Sequence, residues 1–182
     1  MPIVPDTKDW TWVLERPCPE CGLDTRLLAA TDVPAVLRAN AAAWRPELLA
    51  PGAGVRPGDE RWSTLEYGCH VRDVCRRYDA RLALMLGADD PTFPNWDQDA
   101  TAVDDRYGEQ DPQVVAGELE SAGQALAASF DAVRDDEWAR TGTRSDGARF
   151  TVDTFARYLV HDPVHHLYDV TGRPPGPLGE PG

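Results

Sequence analysis

Ser63 through Leu86 reads STLEYGCHVRDVCRRYDARLALML, the longest amphipathic segment of the sequence. Leu65, Val71, Val74, Tyr78, Leu82 and Met85 recur mostly at three- and four-residue intervals, which winds them onto one face of an α-helix. A helix is therefore predicted over roughly Ser63 to Leu86, with one buried stripe. His70 lies inside it, and Glu66, four residues earlier, shares its face.

Three further segments carry the same period. Upstream, Thr31-Asp32-Val33-Pro34 supplies a cap residue and an early proline, and Val36, Leu37, Ala41, Trp44 and Leu48 follow at helical spacing, so a first helix runs to about Leu49. The Gly- and Pro-dense run from Pro51 to Asp59 separates it from the second as a loop. Downstream, a Pro- and Asp-rich connection with Phe93, Trp96 and Tyr107 leads to Asp111-Pro112, which caps a third helix striped by Val115, Leu119, Ala122, Leu126, Phe130 and Val133. Thr151 to about Val170 forms the last helix, marked by Phe155, Tyr158, Leu159 and Leu167 and stopped by Gly172 and Pro174. Between the last two, residues 138–150 contain Thr-Gly-Thr-Arg-Ser-Asp-Gly, turn chemistry that suits a short hairpin or a plain loop. No repeat of fixed period is present, so the expected fold is all-α: an antiparallel four-helix bundle with an N-terminal arm over residues 1–30 and a flexible tail over 172–182.

The 182 residues suit one domain, and 42% hydrophobic content is enough for a core without staples. Acidic residues outnumber basic ones by 31 to 18, for a net charge of −13, which repels phosphate backbones and anionic headgroups; nucleic acid and membrane partners are excluded on this ground. The apolar runs are too short for a signal or membrane span, so the expected location is cytoplasmic. An exposed apolar helix face leaves a homodimer open, and the expected partner is a small-molecule substrate.

The four histidines occupy two places: His70 in the second helix, and His161, His165 and His166 in the last. Residues four apart project from one face of a helix, so His161 and His165 can converge on one ion, while His166 is turned away by about 100°. With His70 from the facing helix, the predicted metal ligands are His70, His161 and His165, leaving a coordination position for water or substrate. Imidazole suits zinc or nickel, and also iron or copper. Histidines near helix ends also serve as caps or satisfied core groups, but an i,i+4 pair with a distant third shifts the balance to metal. His161-Asp162-Pro163-Val164-His165 copies the zincin spacing but lacks the glutamate that motif needs, and Pro163 takes a donor from the helix middle, freeing the Leu159 carbonyl. Glu66, Asp73, Asp162 and Asp169 are candidate carboxylate partners for the free ring nitrogens, or simply solvated helix-face groups.

Leu65-Glu66-Tyr67-Gly68-Cys69-His70-Val71-Arg72-Asp73 and His161-Asp162-Pro163-Val164-His165-His166-Leu167-Tyr168-Asp169 together resemble the DinB/YfiT-like superfamily, which includes the mycothiol-dependent maleylpyruvate isomerases, and the resemblance spans nearly the whole chain. It implies the DinB-type bundle, and a divalent ion held by a histidine of the second helix and a pair spaced by four on a later one, carried onto His70, His161 and His165. In the mycothiol isomerases the first of that later pair looks like glutamate, whereas position 161 is histidine, so the all-histidine set is more similar to other branches. The opening Asp9-Trp10-Thr11-Trp12-Val13-Leu14-Glu15-Arg16-Pro17-Cys18-Pro19-Glu20-Cys21 looks like an actinobacterial subgroup of the same family.

Four cysteines are too few in a chain this long for a disulfide framework. Cys18-Pro19-Glu20-Cys21-Gly22 looks like half of a zinc knuckle, with no second C-x-x-C to complete it. It can be read as a reversible dithiol, as a second metal site completed by an unidentified ligand, or as a tight turn. Cys69 and Cys75, six apart, share no helix face and read as buried small residues.

Three functions are compatible with these residues. The resemblance implies a metal-dependent transferase or isomerase using mycothiol or another low-molecular-weight thiol, the ion lowering the thiol pKa. The second is hydrolysis by metal-activated water with Glu66 or Asp162 as proton acceptor. The third is a non-catalytic, stress-associated metal-binding protein in which the ion ties two helices together. Arg72, Arg76 and Arg157 could steer an anion, but arginines on helices are usually solvated, and none is placed in the site.

Overall fold

The Ser63 hydroxyl accepts from the Glu66 amide at 3.2 Å while a Glu66 carboxylate oxygen accepts from the Ser63 amide at 2.9 Å. That reciprocal cap starts a helix, Thr64–Gly87, in the computed structural model, which describes residues 9–182. It is the second of four long helices. The others are α1 (Val33–Leu48), entered from a 3-10 turn with Pro34 in its first turn; α4 (Pro112–Asp131), capped by Asp111; and α5 (Val152–Thr171), capped by Thr151 and closed by Gly172 in the left-handed region at φ 68°. Thr64–Gly87 is α2, and a short α3 (Gln98–Asp104) lies in the connection before α4. The first eight residues of the expected arm lie outside the described residues.

Helix α4 packs between α1 and α2, and α5 packs on both α1 and α2 from the other side, so the four form a ring. Where α1 meets α4 the approach is close: a Cβ at Gly123 would stand 2.6 Å from the Cβ of Ala41. The helices bury the stripes read from the sequence, with Leu82 and Met85 of α2, Leu119 and Leu126 of α4 and Leu159 of α5 fully enclosed. Pro163 sits inside α5 without ending it; its carbonyl accepts from Asn40 Nδ2 at 2.9 Å, and Asn40 in turn accepts from the Trp44 indole at 3.1 Å.

The all-α expectation needs correcting. Residues 141–151 form the short hairpin that the turn chemistry allowed, β2 (Thr141–Arg144) against β3 (Arg149–Thr151), turning at Gly147 with φ 96°. A third strand, β1 (Thr92–Phe93), pairs parallel to β2, giving the order β1-β2-β3. Two residues are too few to leave a period-2 signal, and the partners of β1 lie about 50 positions away along the chain. The sheet covers one end of the bundle, with Phe93 and Phe150 packed against Phe155. No helix among the described residues is long and apolar enough to cross a membrane.

The arm lies along α5. It begins with a 3-10 turn, Trp10–Leu14, capped by Asp9, and is fixed by Thr25, whose hydroxyl donates to the Val13 carbonyl at 2.5 Å. Cys18, Cys21, Leu23 and Leu28 are buried in the same core cluster as Val160 and Val164 of α5. At the other end of the chain, Gly179 rests near Leu23, Val36 and Val164.

Candidate metal centre

Helix α5 carries two i,i+4 pairs one residue out of step, His161 with His165 and Asp162 with His166, aimed about 100° apart. Each pair gathers a different set of partners. Asp162 and His166 meet His70 of α2, and His161 and His165 meet Cys18 and Cys21 of the arm, in each case with one ligand atom per residue within 4.8 Å of the others. The three histidines expected to share one ion are thus divided between two groups. His166, expected to point away, and Asp162, expected only as a supporting carboxylate, stand with His70.

In the first group, His70 is fully buried, its ring stacked on Trp96 at 5.3 Å between centroids and flanked by Trp62 at 5.4 Å. Both its ring nitrogens and Asp162 Oδ1 are buried without a hydrogen-bond partner. His70 Nε2 and Asp162 Oδ1 lie 3.3 Å apart, close enough for an ion pair yet not aligned for a hydrogen bond. His166 Nε2 is 3.8 Å from the same oxygen. Lone pairs facing one another in a buried pocket are costly unless a cation or protons lie between them, and this donor set suits a divalent ion. Burial works to raise the Asp162 pKa, but the His70 and His166 imidazoles outweigh it and hold the carboxyl below the usual range. His166 Nδ1 is anchored on Asp169 Oδ2 at 2.9 Å, which leaves Nε2 for the group, the carboxylate-histidine arrangement that orients metal ligands.

In the second group all four side chains are buried. His165 Nδ1 is 3.6 Å from Cys18 Sγ, and its Nε2 lies 3.6 Å from Glu20 Oε2 and 3.7 Å from Asp169 Oδ2. His161 Nε2 is buried without a hydrogen-bond partner. Burial, with help from neighbouring His165, pushes the His161 pKa down to about 3, so the imidazole is neutral. Burial also raises the Cys21 thiol to about 12. The Trp10 ring covers both histidines, at 5.5 Å from His161 and 5.6 Å from His165.

A cavity of about 1400 Å³ opens beside the two groups, with His161, Asp162, His165 and His166 in its wall. Arg81 and Arg144 also line it. Arg144 is paired with Asp146 at 2.8 Å, whereas the buried Arg81 donates to the Pro94 carbonyl at 2.8 Å and lies over the rings of Tyr78 and Phe93, with no carboxylate in ion-pair reach among the described residues.

The other residues weighed from sequence have local roles. Glu66 caps α2 and is bound by Arg56. Asp73 accepts from Arg72 at 2.9 Å and from the Tyr107 hydroxyl at 2.6 Å, and Arg72 also reaches Glu118 at 2.9 Å, so neither is free to meet a substrate. Arg157 is held by Asp153 at 2.9 Å. Cys69 and Cys75 are buried, and burial pushes both thiols up to about 12, the environment of inert packing residues.

A family model for the DinB superfamily matches residues 35–170, a segment that contains His70, Asp162 and His166 but begins after Cys18 and Cys21. Among solved structures, YfiT from Bacillus subtilis, described as a probable metal-dependent hydrolase with an unusual four-helix bundle topology, superposes with a TM-score of 0.70. The match covers 79% of this chain and 84% of that one at 18% identity, a likeness of fold. No curated protein matches.

Proposed function

Because the chain belongs to the DinB superfamily, we propose that it is a metal-dependent enzyme acting on a small anionic molecule, with the ion held by His70, Asp162 and His166. The observation that carries this reading is the set of buried, unpartnered atoms on His70 and Asp162, converging with His166 at the cavity wall. A carboxylate followed four residues later by a histidine is also the pattern that the sequence resemblance gave for the mycothiol isomerases, which favours a transferase or isomerase using mycothiol or a related thiol.

A divalent ion bound there would act as a Lewis acid, lowering the pKa of a thiol or water presented to it. The chain's own residues supply the rest. Asp162 contributes the negative charge that retains a dication in a buried site. Asp169 fixes the tautomer of His166 through Nδ1, and Trp62 and Trp96 hold the His70 ring in place. Arg81, a buried cation with no acidic partner in reach among the described residues, offers an anionic substrate group its counter-charge, and the cavity wall limits water around the bound molecule.

The description of YfiT as a probable hydrolase supports a second reading, thiol-independent hydrolysis in the same cavity. One experiment separates the two. Protein loaded with zinc or nickel is incubated with electrophilic acids, with and without mycothiol, and with ester or amide substrates. Turnover that requires thiol and metal and is lost in His70→Ala supports the transferase reading. Hydrolysis without thiol replaces it with the second. Absence of both, with metal acting only on the melting temperature, would overturn the enzymatic reading.

A further inference from the structure

We propose that Cys18, Cys21, His161 and His165 form a second, structural zinc site that fastens the N-terminal arm to α5 and so builds one wall of the cavity. The first group above takes no part in it, and both cysteines precede the segment matched by the family model.

The chemistry of the donor set points to zinc. Two thiolates and two neutral imidazoles are a structural zinc set, and together with a dication they sum to zero charge, which suits burial better than any other ionisation of these groups. The geometry agrees. With zinc-sulfur bonds of about 2.3 Å and zinc-nitrogen bonds of about 2.0–2.1 Å, a tetrahedral ion sets neighbouring sulfur and nitrogen ligands roughly 3.6 Å apart. Cys18 Sγ and His165 Nδ1 are separated by 3.6 Å.

The sequence around the cysteines is shaped as one half of such a site. The Gly22 amide donates to the Cys18 carbonyl at 2.9 Å, the Cys18 amide donates to the Leu23 carbonyl at 2.9 Å, and Gly22 adopts φ 81°, a conformation that favours glycine. This tight loop turns both thiols toward α5, where the i,i+4 histidines supply the other half. The tight-turn reading and the metal reading of the C-x-x-C segment are therefore one arrangement.

The surroundings support the ligand roles. His165 turns Nδ1 to Cys18 and Nε2 toward the carboxylates of Glu20 and Asp169, at 3.6 and 3.7 Å, whose negative charge favours a cation on the ring. His161 Nε2 is a buried acceptor or donor with no partner. Binding releases two protons, one from each thiol, and forms two zinc-sulfur and two zinc-nitrogen bonds. Trp10 and Glu20, which border the cavity, are carried by the arm that the ion would hold.

The test uses the full-length, untagged, reduced protein with zinc or cobalt(II) as the probe. Cobalt added to the metal-free protein should give sulfur-to-cobalt charge-transfer absorption and intense tetrahedral d–d bands; this needs no variant, so misfolding cannot obscure it. The bands should vanish in Cys18→Ser/Cys21→Ser and persist in His70→Ala/His166→Ala. Zinc content by mass spectrometry should fall by one ion per chain in the cysteine variant, whatever the occupancy of the first group, so the two sites fail separately. Absence of the charge-transfer band in wild type, its retention in the cysteine variant, or zinc content that the cysteine variant does not change would each overturn the proposal.

Discussion

Two pairs on one helix, shifted by a single residue, meet different chemistry. Asp162 and His166 look toward α2 and gather one more histidine, while His161 and His165 look toward the arm and gather two thiols, and all four border the same cavity. The first set is oxygen- and nitrogen-rich, beside space for a substrate, as a catalytic site requires. The second offers four buried side chains with nitrogen and sulfur donors, the number and kind that a structural site uses. About 100° of helical rotation between neighbouring residues is enough to separate the two roles.

Losses of activity should be greatest at the ligands of the first group. Asp162→Ala removes the one carboxylate and leaves His70 and His166 facing each other, so turnover should drop by more than about 100-fold, beyond the range seen when only outer partners are lost. His161→Ala should cost turnover far less than Asp162→Ala and act mainly on the fold, destabilising it by on the order of 4 kcal/mol in denaturant unfolding of the zinc-loaded protein, because a lost structural ion is among the largest single-site effects. If His161→Ala abolishes turnover at unchanged stability, the assignment of roles is reversed.

The four long helices were legible because their apolar stripes run for several turns, and the cap at Asp111 appears where the sequence puts it. The strand Thr92–Phe93 and the helix Gln98–Asp104 were not, being too short to show a period. At the site, the concentration of histidines was legible and its division was not. The sequence reading chose His161 with His165 and set His166 aside, although Asp162 with His166 has the same spacing; the choice between them depends on how α5 is rotated against α2, a tertiary property. A signal was present all the same: a C-x-x-C short of two ligands, and a histidine pair beside a carboxylate-histidine pair.

Asp169 touches both groups, at 2.9 Å from His166 Nδ1 and 3.7 Å from His165 Nε2. Asp169→Asn should weaken metal retention at both groups by about 10- to 100-fold in chelator competition, more at the first, where the contact is a hydrogen bond. Equal loss at both groups would mean that the carboxylate acts through the general field and not through ligand orientation.

A milder change belongs to the cavity wall away from the metal ligands. Arg81 holds its charge against Tyr78 and Phe93 with a single carbonyl acceptor, so a neutral side chain there loses little internal bonding and removes a poorly compensated buried cation. Arg81→Met should therefore leave stability within about 1 kcal/mol of wild type, or raise it slightly. Metal content should be unchanged at both groups. If the guanidinium receives an anionic group of the substrate in the ground state and the transition state alike, KM should rise by about 10-fold with kcat little altered, the signature of uniform binding. A fall in kcat at constant KM would place the arginine at the reacting atoms, and no kinetic change would mean that the anionic substrate is held elsewhere in the cavity.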